Sequence, residues 1–72
     1  MNEVEKRKSR FVYRKLAPLV VSATDGDVGG LSYEVSRGEE YVRVNYVNGH
    51  VRTVCVTGDS RVALARDVLR VL

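Results

Sequence analysis

The chain reads as an α+β domain of two layers, a helix, a three-stranded antiparallel sheet and a second helix in the order αβββα. Three observations carry that reading. The N-terminal segment lacks Gly and is rich in helix-favouring Glu, Lys and Arg. An Asn48-Gly49 pair separates two alternating apolar runs, and an amphipathic segment follows Thr57 and Gly58. Seventy-two residues form one domain, 1–72.

Asn2 is placed to cap the first helix, with Glu3 and Glu5 at the positive end of its dipole. Val12, Leu16, Leu19, Val20 and Ala23 share a helical stripe, with Val4 and Phe11 beside it. Residues 1–10 carry little apolar content and are expected to be a basic arm that frays. Pro18 removes a backbone donor and crowds the preceding turn, so a kink or two abutting helices is expected there. Thr24–Gly30 ends the helical region with three Gly and two Asp. It lacks the spacing of a calcium loop and is read as a turn.

The sheet is expected over 31–56. Leu31, Tyr33 and Val35 alternate with polar residues, Arg37-Gly38-Glu39 turns the chain, and Glu40–Val47 forms the second strand. A two-residue turn at Asn48-Gly49 would pair Val47 with His50, Asn45 with Arg52, Arg43 with Val54 and Tyr41 with Val56 on one side. Tyr46, Val51, Val44, Thr53, Val42 and Cys55 would then form the buried side. The last helix, 58–72, starts from Thr57 as its cap and carries an apolar arc of Val62, Leu64, Ala65, Val68, Leu69, Val71 and Leu72. That arc is wider than one small sheet needs. The surplus is expected to meet the first helix or a second subunit.

Composition narrows the function. A chain of this size buries about 60% of its unfolded surface, and disulfides, metals or self-association usually compensate. Cys55 is the single cysteine and His50 the single histidine, which removes an internal disulfide and a zinc cluster. A homodimer or higher homo-oligomer is therefore expected. No apolar run approaches a membrane span, the start of the chain is charged and Cys55 has no disulfide partner, so a cytoplasmic protein without membrane partners is expected. Residues 2–15 hold six cations against two acids, a local +4, whereas the remainder holds six arginines against seven acids. Lys6, Arg7, Lys8 and Arg10 are the candidates for nucleic-acid phosphates.

No catalytic residue, cofactor or metal site is expected. Cys55 has no activating base nearby in sequence, and His50 stands alone. The candidate ligand site groups Tyr41, Arg43, His50 and Arg52 on the polar sheet side with Gly58, Ser60 and Arg61 at the start of the last helix. The arginines would hold a phosphate, Tyr41 would stack a base, and the helix start would seat an anion. The alternative is a solvated sheet face and an ordinary helix cap.

Tyr33-Glu34-Val35 and Thr57-Gly58-Asp59-Ser60-Arg61, set in this element order, resemble the double-stranded-RNA-binding domain. That resemblance implies contact with RNA through the first helix, the loop between the first two strands and a basic start to the last helix. Here Arg61 is the one basic residue at that start, and the loop Ser36–Glu40 is acidic. The run from Tyr41 to Ser60, followed by a helix with Arg66-Asp67-Val68, resembles short accessory proteins of bacteriophages and mobile elements in Gram-positive bacteria. That second resemblance implies a non-enzymatic protein sequestering a host defence signal or blocking a defence protein. The leading expectation is thus a small phosphorylated or nucleotide ligand, with a nucleic-acid module or a protein-binding inhibitor as alternatives.

Overall fold

The structure, a computed structural model, describes residues 2–72. Its elements are α1 (Glu3–Phe11), a π-helical turn (Val12–Leu16), α2 (Ala17–Ala23), β1 (Val28–Ser36), β2 (Glu39–Tyr46), β3 (Val51–Cys55) and α3 (Arg61–Arg70). The sheet is antiparallel in the order β1-β2-β3. The core lies on one sheet face, where buried Val28, Leu31, Tyr33, Val42, Val44 and Val54 meet Val12, Leu16 and Val20 of the first helical region and Leu64 and Val68 of α3. This is the expected αβββα arrangement.

The N-terminal arm is helical from Glu3. Asn2 Oδ1 accepts the Glu5 N–H at 2.9 Å while Glu5 accepts the Asn2 N–H at 3.2 Å, a reciprocal cap that satisfies two otherwise free donors. Around Pro18 the helical region consists of two α-helices, α1 and α2, abutting through the π turn, one of the two arrangements expected there. The turn before the proline widens, and the Ala17 N–H donates to Val12 O, five residues back. Such a turn relieves the clash between a proline ring and the carbonyl four residues earlier. It also realigns the buried stripe. Lys8, Val12, Leu16 and Val20 recur every four residues, and on a regular helix that spacing drifts by about 120° over three steps. The π turn unwinds part of the drift, so all four are buried. Leu19, expected on the stripe, is exposed instead.

β1 begins three residues earlier than expected. Gly29 is the extra residue of a bulge between the Val28–Tyr46 and Gly30–Asn45 pairs, and the tight turn preceding it holds Asp25 and Gly26 at φ 52° and 81°. Arg37-Gly38, with φ 53° and 78°, supplies the sheet's two-residue turn between Ser36 and Glu39.

The second hairpin differs from its expected register by one residue. The pairs are Tyr41–Cys55, Val42–Val54, Arg43–Thr53, Val44–Arg52 and Asn45–Val51. Val47-Asn48-Gly49 is a three-residue loop in which Gly49 (φ 93°) takes the left-handed position and Tyr46 and His50 close the ladder. The reason lies outside the hairpin: the Val47 N–H donates to Asp27 O at 3.0 Å, which pulls Val47 toward the start of β1. A one-residue slip turns every β3 side chain over. Val54 is therefore buried, while Cys55 and Thr53, expected inside, are exposed on the open sheet face.

The α3 start is also corrected. Ser60, not Thr57, caps the helix by accepting the Ala63 N–H at 3.0 Å. Leu64 and Val68 enter the core, but Val62 remains 78% exposed and Leu69 and Leu72 are exposed as well. The accessible surface of 4799 Å² compares with about 4,500 Å² for an ordinary compact monomer of this mass.

Candidate nucleic-acid interface

The register divides the expected ligand site. Tyr41 and Arg43 lie on the open sheet face, where Arg43 Nη2 is 3.3 Å from Glu34 Oε2 and the Tyr41 hydroxyl donates to Glu39. Arg52 lies on the opposite, helix-bearing face and donates from Nη1 to Val71 O at 2.7 Å, tying β3 to the end of α3. His50 is exposed at the hairpin turn, its N–H held by Asn48 Oδ1. With Arg43 and Arg52 on opposite faces, one small ligand does not reach both. The phosphate clamp expected from them is not formed.

Gly58, Ser60 and Arg61 lie elsewhere, against α1. Gly58 is required sterically, since a Cβ there would stand 2.8 Å from Ala63 Cβ. Its carbonyl accepts a hydrogen bond from Lys8 Nζ at 3.1 Å. Lys8 is thus withdrawn from the surface set expected to contact phosphates. Only 2% exposed, its ammonium lies 2.9 Å from Glu40 Oε2 and 3.7 Å from Asp59 Oδ1. Glu40 in turn accepts the Tyr33 hydroxyl at 2.5 Å. That hydroxyl bond, with a further contribution from Lys8, holds the Glu40 carboxyl below its ordinary value, while burial and the adjacent carboxylate push the Tyr33 phenol upward. The network was legible in part. Lys8 extends the four-residue stripe, and Glu40 shares the Val42–Val44 side of an alternating strand, so each needed a polar partner in the core.

A second acid anchors the other helix. Asp67 accepts the Thr57 hydroxyl at 2.6 Å and the Thr57 N–H at 3.1 Å, and these bonds lower its carboxyl from the ordinary range. The sign follows directly. Depressed folded-state values mean that Glu40 and Asp67 stabilise the fold above the ordinary carboxylate range and lose that contribution as pH falls through their folded values. Urea midpoints are expected to be flat near neutrality and to decline below roughly pH 4. Glu40→Gln should flatten the acid limb, and an unchanged limb would remove Glu40 from the account.

The residues that remain free for a large ligand line α1. Arg7, Arg10, Phe11, Arg14 and Lys15 follow helical spacing along one flank and, with Arg61 from the first turn of α3, line a cavity of about 220 Å³. A neighbouring depression of about 420 Å³ shares Arg7 and Arg61 and adds Val4, Lys8, Asp59, Ser60 and Val62. The five cations are exposed, and among the described residues none has a carboxylate within 4 Å. Sequence reasoning identified Arg7, Arg10 and Arg61 individually but not their convergence. Arg14 and Lys15 were left out because the first ten residues were separated from the helix that continues them.

No protein-family model, curated protein or solved structure matches the chain.

Proposed function

We propose that the chain is a nucleic-acid-binding module that grips a phosphate backbone along α1 and the start of α3. The observation supporting this reading is the alignment of Arg7, Arg10, Arg14, Lys15 and Arg61 around two adjoining depressions, with none of the five within 4 Å of a carboxylate among the described residues and Asp59 the one acid on the lining. Guanidinium groups bind phosphate oxygens in a forked geometry, and charge gathered on one face is the usual footprint of such modules. Ser60 and the opening turn of α3 add backbone donors beside Arg61. Val4, Phe11 and Val62 offer apolar contact to sugars or exposed bases. The set reads backbone shape rather than base sequence, and it favours RNA duplexes as the first substrate to try, given the αβββα order and the use of the first and last helices.

Fluorescence anisotropy with duplex RNA and DNA of about 16 base pairs tests the reading. With roughly four phosphate contacts, affinity is expected to fall about 100-fold or more between 50 and 200 mM salt. The Arg10→Glu/Arg14→Glu variant should reduce the salt slope by about two contacts and weaken binding at least tenfold. Arg43→Ala, on the open sheet face, should leave binding unchanged. Absence of binding to either duplex, or an Arg43 effect as large as that of the α1 pair, overturns the assignment.

A further inference from the structure

The pairing pattern determines which backbone groups of β3 point away from the sheet. The Val56 N–H donates to Glu40 O at 3.0 Å and the Tyr46 N–H to His50 O at 2.9 Å. In an antiparallel ladder the bonded pairs recur at every second residue, so Val54 and Arg52 also face β2. Val51, Thr53 and Cys55 therefore aim their N–H and C=O groups outward from the edge of the sheet. Thr57 has the same outward parity, but its N–H is already taken by Asp67 at 3.1 Å. The β3 edge is closed at this end and open over three alternate residues.

A groove of about 420 Å³ runs beside that edge, between β3 and α3, lined by Thr53, Cys55, Thr57, Arg66, Asp67 and Arg70 among others. Its charge is unequal. Arg66 and Arg70 are 61% and 69% exposed, and both approach one oxygen of the same acid, Asp67 Oδ1, at 3.7 and 4.0 Å. Asp67 is already committed to Thr57 through its other oxygen. The groove thus offers unpaired strand donors and acceptors next to two guanidinium groups with one shared carboxylate.

We propose that the β3 edge and the α3 groove accept an extended acidic peptide as a fourth strand. Main-chain bonds to Val51, Thr53 and Cys55 would hold the peptide. Acidic side chains on its helix-facing positions would pair with Arg66 and Arg70. A second copy of this chain fits less well. Two-fold pairing of β3 about Thr53 would place four such arginines against two Asp67 carboxylates on the same side of one sheet. The inference is independent of the phosphate-binding reading, which uses α1 and Arg61.

The test titrates a capped seven-residue peptide of alternating valine and glutamate into the isotope-labelled full chain, followed by amide NMR. Saturable shifts and slowed hydrogen exchange are expected at Val51, Thr53 and Cys55. Replacing glutamate by lysine in the peptide should weaken binding at least tenfold, and methylating its edge-facing amides should abolish it. The Arg66→Glu/Arg70→Glu variant, its fold checked by an otherwise preserved spectrum, should lose the glutamate peptide and gain the lysine peptide. The proposal is overturned by no shifts at millimolar peptide, shifts confined to α1, or equal binding of the methylated peptide. It is also overturned by concentration-dependent β3 shifts without peptide, which would assign the edge to a second copy.

Discussion

Lys8→Ala is expected to destabilise the fold by about 3 kcal/mol, the low end for breaking a buried ion pair from one side, because the Glu40 side chain is 22% exposed. The substitution strands the Glu40 carboxylate against Tyr33, frees the Gly58 carbonyl and leaves a void where the lysine stem passed between α1 and the sheet. A domain of 72 residues has roughly 4–11 kcal/mol of total stability, so the variant should retain roughly 1–8 kcal/mol and unfold at a clearly lower urea concentration. Urea denaturation followed by far-ultraviolet circular dichroism measures this, since the chain has no tryptophan. The companion variants separate charge from packing. Lys8→Met keeps the stem, and the double change Lys8→Met/Glu40→Gln removes both charges while leaving Tyr33 an acceptor. The double variant should cost less than the sum of its two single changes by about 1 kcal/mol or more. Strict additivity would show that the two groups are not energetically coupled. A loss below about 0.5 kcal/mol for Lys8→Ala would contradict the burial of its ammonium.

Leu64→Ala is the second large effect, at about 3 kcal/mol for a fully buried leucine truncated in a core that collapses only partly. Its consequences should be concentrated in α3. That helix sends only Leu64 and Val68 fully into the core, with two polar ties: Asp67 accepts from Thr57 after β3, and Arg52 of β3 donates to Val71 O at the helix end. Hydrogen exchange of the α3 amides should therefore accelerate more than exchange in β1 and β2, where loss of the whole fold is required. Arg61 travels with α3, so duplex affinity should also weaken although no cation is altered. Uniform acceleration across the sheet would instead make α3 part of a single cooperative unit with it.

Much of the architecture was readable from local rules. Asn2 followed by Glu5 is a cap whose partners lie within one turn, and the alternation of Leu31, Tyr33 and Val35 needs only a pleated strand with one dry side. Ser60 could have been preferred to Thr57 as the α3 cap, because the helical apolar pattern begins near Val62. The reading failed where two remote segments competed for one backbone group. Asn48-Gly49 supports a two-residue turn and a three-residue loop alike, and the choice was made by the Val47 N–H reaching Asp27. Residues 51–56 gave no independent warning, since Val51-Thr53-Cys55 and Arg52-Val54-Val56 are both acceptable inward sets.

Composition and periodicity by themselves determined two helices around three antiparallel strands, a cation-rich first helix and a lone cysteine without a disulfide partner. These are properties of neighbours along the chain, where spacing and backbone preference act directly. Tertiary structure alone decided that Lys8 is an internal counter-ion, that Arg43 and Arg52 point apart, and that Arg61 joins the cations of α1. Each depends on contacts across 30 or more residues or on a single-residue slip in strand pairing, and the free energy separating the alternatives resides in the assembled core.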